Sequence, residues 1–498
     1  MRYFMGLVCV LALGVMGCSE TAGTGGSGGD GGSAGIGGEG GMGGGGAGGG
    51  GTGGGGGTGG TAGTGGMPEC ESAKDCDDDN ECTEDVCNPS SASCDNTPVP
   101  DGSSCAAGRG GCYGGLCNFV PVSVTFGERE LVFDWTTDRC EDLHLPDQPA
   151  RFVRAADGEL VLFDANAPTY YVSRGADFDS LVRVCDPPAL VSADLQTPES
   201  YENWEWIWAV YREGTSWHAL IHNEFHDAVA PTCRVGDPSP GNPCWYNSIT
   251  YAVSTNDART FVKPTARAHV VAPAPSVWVA PQPGDPPVSG YYVEGYFNPT
   301  NIVRGPDDYY YALMSVFPES GVDVRGMCAM RTDTLSDPAS WRAWDGSGFN
   351  LPLPSPYATG STAPLCEFLP TLKRQGSGSL TYNSYIDRYM HVNGWGQWVD
   401  PQTLICGFYF TLSTDLIHWS HTQLIARADI GSCADSGGAG APPILQPGHL
   451  QYPSIIDHAD STTNFERPGR TPYLYYTRHN AGLDRDLVRV PLTFTVEE

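Results

Sequence analysis

The chain has 498 residues and a formal net charge of −31, from 58 acidic and 27 basic residues. Such an acidic surface repels phosphate backbones and anionic lipid headgroups, which makes nucleic acid and charged membrane surfaces poor partners. It also disfavours a polyanionic substrate such as pectate, and it is consistent with an extracellular protein.

The N-terminal stretch MRYFMGLVCVLALGVMGCSE contains one Arg, a short apolar run and then small residues. The run is too short to span a bilayer comfortably, so it predicts a signal peptide over residues 1–17. Its ending, Val15 to Cys18, resembles a bacterial lipobox, which implies that Cys18 is lipidated. Ser19 follows, and by the enterobacterial sorting rule this implies an outer-membrane lipoprotein on the cell envelope. The alternative is an ordinary secretory signal with an incidental Cys.

Residues 18–67 follow the signal and consist almost entirely of Gly with Ser, Thr and Ala. Such a composition cannot bury enough apolar surface to offset chain entropy, so it predicts a flexible tether. We expect no chemistry in it.

The chain has 18 Cys, and the predicted signal and lipid site take Cys9 and Cys18. Of the others, eight lie between Cys70 and Cys117 and eight lie between Cys140 and Cys433. An even set in an exported chain predicts disulfides and an oxidising compartment.

Residues 68–120 form a Cys-rich module with few apolar residues, which disulfides would have to hold together. It resembles Cys-rich repeats, patterned C-x-D-x-N-x-C-T-x-D-x-C, of myxobacterial surface proteins. An acidic run could bind calcium, since clustered carboxylates suit hard cations, but a solvated acidic loop is the favoured interpretation. The run comprises Asp75, Asp77, Asp78 and Asp79.

Residues 121–498 contain many short alternating or aromatic runs, such as WIWAVYR, YYYALMSVF and GFYFTLS, separated by Gly, Pro, Asp and Asn. No long stretch has helical periodicity, so the sequence predicts an all-β fold. These 378 residues are too many for one sandwich, but they suit a five-bladed β-propeller with about four strands per blade.

The segment Ser413 to Trp419, S-T-D-L-I-H-W, follows an apolar strand and predicts a structural turn. Ser and Asp side chains can cap the free backbone N–H groups of such a turn, and the Trp can pack beneath it. Related turns occur at Ser254 to Phe261, which also resembles a degenerate sialidase Asp-box, and at Asp333 to Phe349. The S-x-D-L-x-x-W turn resembles that of five-bladed glycosidases of glycoside hydrolase families 43, 62, 32 and 68.

This resemblance implies a base, a tuning acid and a general acid at one end of a central funnel. Asp147, just before an apolar strand entered through Pro149, resembles the base of these families. Its alternative is a turn residue. Arg151 nearby could bind a sugar hydroxyl or form a structural ion pair.

The strand WHALIHNEFHD places His222, Glu224 and His226 on one face by alternation. We expect a funnel wall in which Glu224 tunes the acid and the two His bind substrate. A metal site and a solvated strand end are the alternatives.

Glu294 lies in the aromatic strand GYYVEGYF and is followed by Gly295. The Glu-Gly pair resembles the general acid of family 43, although Tyr296 replaces the usual Pro. Aromatic neighbours would disfavour the charged carboxylate, which suits a proton donor. Asn298 could contact a sugar hydroxyl or simply form a turn.

A later strand, LTYNSYIDRYMHV, supplies Tyr382 and Asn383 as candidates for an aromatic and amide wall that binds a sugar ring.

These residues predict a surface-tethered glycoside hydrolase that acts on a neutral polysaccharide or oligosaccharide. We expect a monomer that requires no cofactor, has calcium as a possible ion in the Cys-rich module or the propeller, and meets the membrane through its lipid anchor only. One alternative is a non-catalytic carbohydrate-binding or adhesion lipoprotein, and another is a metal-assisted hydrolase or lyase.

Overall fold

The computed structural model describes residues 70–497 except 71, 79, 89, 92, 228–243, 266, 281–291, 319–324, 361, 373–377, 401–402, 431–444 and 446–447. The predicted signal peptide, Cys18 and the Gly-rich segment therefore lie outside the described residues. The described part is mostly strand and its two α-helices have four residues each, which confirms the all-β class. In the same part of the chain, no helix is both long and apolar enough to cross a membrane.

The chain divides into two compact units. Among the described residues, the small unit comprises residues 70–78 and 85–96, and the large unit comprises residues 80–84 and 97–497.

Disulfides hold the Cys-rich region, as its composition predicts. Cys70–Cys87 and Cys76–Cys94 lie in the small unit, and Cys82–Cys112 and Cys105–Cys117 lie in the large unit. Its strands are short: β1 (Thr83–Asn88), β2 (Ser93–Pro98), β3 (Ser104–Cys105), β4 (Gly110–Tyr113) and β5 (Leu116–Cys117). Of the acidic run, Asp75 accepts a hydrogen bond from the Ser72 backbone at 2.9 Å, whereas Asp79 lies outside the described residues.

The rest of the large unit begins with two short strands and a helical turn and then enters a four-stranded antiparallel meander. The first three elements are β6 (Val122–Phe126), β7 (Glu130–Phe133) and α1 (Trp135–Asp138). The first meander contains β8 (Arg151–Arg154), β9 (Leu160–Phe163), β11 (Val172–Gly175) and β12 (Val182–Val184). A separate pair is formed by β10 (Thr169–Tyr170) and β13 (Leu190–Val191). The disulfide Cys140–Cys185 links the two ends of this region.

The second and third meanders form one ten-stranded sheet because β16 and β18 pair in parallel. The second contains β14 (Trp204–Glu213), β15 (Ser216–His226), β16 (Cys244–Ser254) and β17 (Val270–Ala272). The third contains β18 (Tyr292–Phe297), β19 (Val303–Arg304), β20 (Tyr310–Phe317), β21 (Gly326–Thr332), β22 (Arg342–Ala343) and β23 (Leu351–Pro352). The helix α2 (Pro356–Thr359) follows, and Cys328–Cys366 links β21 to the segment after it.

The fourth meander contains β24 (Ser379–Asn383), β25 (Arg388–Asp400), β26 (Thr403–Ser413) and β27 (Gln423–Arg427). The fifth contains β28 (Leu450–Ile456), β29 (Tyr473–His479) and β30 (Arg485–Val496), and β6 completes it. The pairing of Leu492 with Phe126 and of Val496 with Val122 thus joins β6, which follows the Cys-rich region, to the last strand β30.

Residues from successive meanders line a central cavity. Phe152, Val210, Ser379 and Ile455 lie on β8, β14, β24 and β28, and Asn301 lies between β18 and β19. Residues on or near the first strands of the described meanders therefore border one space. Strands such as β9 and β20 are buried at every position, which explains their continuous apolar sequences.

The turn after β26 has the structural role that its sequence predicts. The Ser413 hydroxyl accepts from the backbone N–H of Leu416 at 2.9 Å, and Asp415 Oδ1 accepts from those of Ile417 and His418 at 2.9 and 2.8 Å. Trp419 is 5 % exposed and packs in an apolar cluster beneath the turn. The turn at Ser254 repeats the pattern, with the Ser254 hydroxyl accepting from Ala258 N–H at 3.1 Å.

Candidate active site

Asp147 lies in the loop before β8, and its side chain is almost fully buried. Its backbone N–H donates to Asp164 O at 2.9 Å, which fixes the loop against β9. Its Oδ1 accepts from the Arg485 guanidinium at the start of β30 and from the Tyr452 hydroxyl at 3.1 Å. The first and fifth meanders therefore meet at this carboxylate.

Tyr452 lies at an irregularity of β28, where the register with β29 shifts between Gln451 and Ser454. Its φ is 57°, a left-handed conformation that is strained for a bulky residue. Such a bulge redirects a side chain, and here the phenol points at Asp147. Strain of this kind, typically about 1–3 kcal/mol, concentrates at binding and catalytic sites.

Glu224 lies between two imidazoles on β15, as the alternation predicts. His222 Nε2 donates to one carboxylate oxygen at 2.7 Å and His226 Nε2 donates to the other at 2.8 Å. The Asn298 backbone N–H donates to His222 Nδ1 at 3.3 Å, which leaves the ring proton of His222 on Nε2. Both His therefore serve Glu224 as hydrogen-bond donors.

Aromatic side chains surround His222, one of the two donors to this carboxylate. The ring centroids of Trp206, Trp208 and Phe297 lie 5.5, 5.2 and 6.2 Å from that of His222. Trp208 also contacts Tyr452 edge-on at 6.2 Å, so the Glu224 and Asp147 groups share one wall. His226, Tyr452 and Asn298 are partly exposed, whereas Asp147 and His222 are buried.

The two carboxylates have pKa values shifted in opposite directions. Burial raises the pKa of Asp147, the charges and hydrogen bonds of Arg485 and Tyr452 oppose that rise, and the negative charge of Glu224 adds to it. Burial alone would also raise the pKa of Glu224, but the hydrogen bonds from His222 and His226 outweigh it and lower the pKa to about 2. Glu224 is thus a permanent negative charge near Asp147.

The Glu294 side chain does not join the group around Glu224. The register pairs Glu224 with Asn247 and Glu294 with Tyr246, so the two Glu side chains point to opposite sides of this sheet. Glu294 is 5 % exposed and accepts a hydrogen bond from the Ser276 hydroxyl. Its surroundings include the phenols of Tyr246 and Tyr357, which come from other segments than β18.

The other predicted site residues divide into two groups. His222, His226 and Asn298 join Asp147 and Glu224, whereas Arg151 lies in the central cavity and donates to Gly378 O at 2.6 Å.

Tyr382 and Asn383, at the far end of β24, contact residues that follow β28. Arg467 lies over the Tyr382 ring, and the Asn383 amide donates to Gly469 O at 3.1 Å while capping a turn. The structure does not bring these two residues to Asp147, because β24 carries them past the cavity.

A metal bound by His222, Glu224 and His226 would have to replace the two hydrogen bonds that join them. Within the described residues, the groups of three or more close metal-ligand atoms are Cys70, Cys76 and Cys87, and Cys82, Cys105 and Cys112, all of which form disulfides.

Two residues of the site were missed by sequence reasoning. Tyr452 had a usable signal, because Pro453 inside a strand pattern indicates a bulge. Arg485 had none, since 338 residues separate it from Asp147.

No protein-family model matches the chain, and no curated protein matches it. Solved structures are similar to it at a low level. A Dyadobacter fermentans protein of unknown function has 10 % identity and a TM-score of 0.42, covering 75 % of this chain and 99 % of that chain. A Penicillium chrysogenum α-L-arabinanase complexed with arabinobiose has 12 % identity and a TM-score of 0.38, covering 75 % and 98 %. A GH43_1 enzyme from Xanthomonas citri has 11 % identity and a TM-score of 0.38, covering 72 % and 91 %.

Proposed function

We propose that this protein is a glycoside hydrolase that cleaves glycosidic bonds in a neutral extracellular polysaccharide. One observation carries the proposal: Asp147 and Glu224 reach the same aromatic-walled site from different meanders, and their pKa values shift in opposite directions. Glycoside hydrolases commonly use two carboxyl groups whose surroundings shift their pKa values apart.

Asp147 is the proposed base. Its raised pKa makes its carboxylate more basic, and Arg485 and Tyr452 hold it in one orientation. Ionised Glu224 raises the pKa of Asp147 and, with a pKa of about 2, cannot itself donate a proton near neutral pH.

The Glu-Gly sequence predicts Glu294 as the proton donor, but its buried side chain, beside Tyr246 and Tyr357, points to the other side of the sheet from Glu224. Phe297, three residues further along β18, faces the opposite way and contacts His222. The proposal therefore rests on Asp147 and Glu224.

The proposed substrate is a neutral sugar chain. Aromatic rings such as Trp204, whose centroid lies 5.4 Å from that of His226, suit the apolar faces of sugars. His226 and Asn298 supply partly exposed polar groups for hydroxyls. The net charge of −31 opposes polyanionic chains.

The proposed setting is the outer membrane or cell surface, where a lipid on Cys18 and the Gly-rich tether would hold a monomeric five-bladed propeller near its substrate. The even Cys count and the disulfides of the large unit support an oxidising compartment.

Release of reducing sugar from a panel of neutral polysaccharides tests the proposal. We expect turnover by the wild type and losses of at least about a hundredfold in Asp147→Asn and Glu224→Gln, with glycan binding retained. Glu213→Gln, on the same meander as Glu224 but bonded to Tyr310, is the control that stays active. Binding without any turnover by the wild type would favour the adhesion alternative. A comparable loss in Glu294→Gln would show that Glu294 takes part in the reaction although it faces the other side of the sheet.

A further inference from the structure

Arg151 is a buried cation at the centre of the large unit. Its side chain lines the central cavity, and the residue is 3 % exposed. It donates to the backbone carbonyls of Gly378 at 2.6 Å and Ala150 at 3.4 Å, while its Nε has no hydrogen-bond partner. Within the described residues, no carboxylate lies within ion-pair distance of its guanidinium.

The two buried carboxylates in this part of the chain pair with other arginines. Asp147 pairs with Arg485, and Asp164 pairs with Arg183 at 2.7 and 3.2 Å. Burial lowers the pKa of Arg151 to about 9, and only the phenol of Tyr170 opposes it. The positive charge therefore lacks a protein counter-charge.

The other polar groups of the cavity cannot supply that charge. The Asn301 and Asn464 amides bond to the backbones of Leu380 and Arg212. Ser379 Oγ accepts from Ile455 N–H at 3.4 Å, so its own hydrogen is free to donate.

His391, near enough for Arg151 to lower its pKa, is fully buried and neither of its ring nitrogens has a hydrogen-bond partner. The cavity therefore presents a hydrogen-bond donor, Ser379, next to the positive charge of Arg151, with the neutral imidazole of His391 nearby.

An isolated buried cation is costly, and a ligand of opposite charge removes that cost. The cavity has room for about one occupant of the size of a water molecule, and its walls include Phe152, Val210 and Ile455. One guanidinium balances one negative charge, and the apolar walls disfavour a strongly hydrated dianion. We propose that the central cavity binds a small monovalent anion of the halide class, held by Arg151 and Ser379 at the junction of the meanders.

Because Arg151 belongs to the first meander and Ser379 to the fourth, a bound halide would stabilise the closed arrangement of the strands. The thermal midpoint should therefore rise with halide concentration and saturate, as expected for a ligand that binds only the folded state.

Thermal unfolding at constant ionic strength, with sodium gluconate replaced stepwise by sodium bromide, tests this. We expect a saturable rise of a few degrees in the wild type and in Arg154→Met, a control on the same strand, and none in Arg151→Met. Bromide anomalous scattering from wild-type crystals provides a second measurement that needs no variant, with a peak expected beside the Arg151 guanidinium. A midpoint insensitive to bromide, a rise retained in Arg151→Met, or a cavity without a bromide peak would overturn the proposal.

Discussion

The Tyr452 hydroxyl donates a 3.1 Å hydrogen bond to Oδ1 of Asp147, which lies 305 residues earlier in the chain. Tyr452 adopts φ 57° to do so. Its burial raises its pKa, and the negative charges of Asp147 and Glu224 add to that rise. The phenol thus lies within the electrostatic reach of both carboxylates and orients the one that we propose as the base.

Tyr452→Phe should lower the turnover of neutral polysaccharide about tenfold, as expected for a lost hydrogen bond to a charged group. Since that bond lowers the pKa of Asp147, its loss should raise the pKa and move the acidic limb of the pH–activity profile to higher pH. Initial rates between pH 4 and 9 provide the measurement. Tyr409→Phe, which loses only a bond to Ile405 O, is the control. An unmoved acidic limb would contradict the proposed role of Asp147.

Glu224 should contribute stability that depends on pH. Its folded pKa of about 2 lies below the ordinary 4.5, so its contribution is complete above pH 4.5 and is lost as pH falls toward 2. Glu224→Gln should be less stable at pH 7 by roughly 1–3 kcal/mol and should lose less stability over that acid range. Urea unfolding at several pH values checks this, with the exposed Glu128→Gln as a control expected to follow the wild type. An identical acid dependence in Glu224→Gln would disprove the assignment.

Removing one partner of the buried ion pair between Asp164 and Arg183 should strongly lower the stability of the protein. Their side chains are 0 % and 3 % exposed, and Arg183 also lies over the Phe133 ring. Asp164→Asn leaves an uncompensated buried charge and should cost about 3–5 kcal/mol. Asp142→Asn, which breaks the exposed pair with Arg139, should cost at most about 0.5 kcal/mol. Chemical denaturation of both variants measures the difference, and equal losses would show that burial is not the cause.

Trp419 should act as a structural plug beneath its turn. Trp419→Ala removes a side chain that shares one apolar cluster with Leu369, Leu372 and Leu416, and it should cost about 3–5 kcal/mol of unfolding free energy. Trp398 is 54 % exposed near the tip of the β25–β26 hairpin, so Trp398→Ala should change stability by less than about 0.5 kcal/mol. Urea unfolding midpoints of the wild type and the two variants measure the difference. A Trp419→Ala midpoint equal to that of Trp398→Ala would be incompatible with this role.

Local patterns sufficed where the relevant interactions are local. Alternation placed His222, Glu224 and His226 on one face, and the Ser413 and Asp415 caps follow from their spacing in the turn. The same kind of pattern could not place Glu294, because the side it faces depends on the register between β16 and β18.

The sequence by itself determined the strand-rich class, the disulfide-held Cys-rich region and the capped turns, because each depends on residues close together in the chain. The tertiary structure alone decided which charges meet: Asp147 pairs with Arg485 and Tyr452, whereas Arg151, four residues after Asp147, lies in the central cavity. The physical reason is that β30 and β28 approach the loop before β8 only when the five described meanders close around one space, and no local pattern encodes that closure.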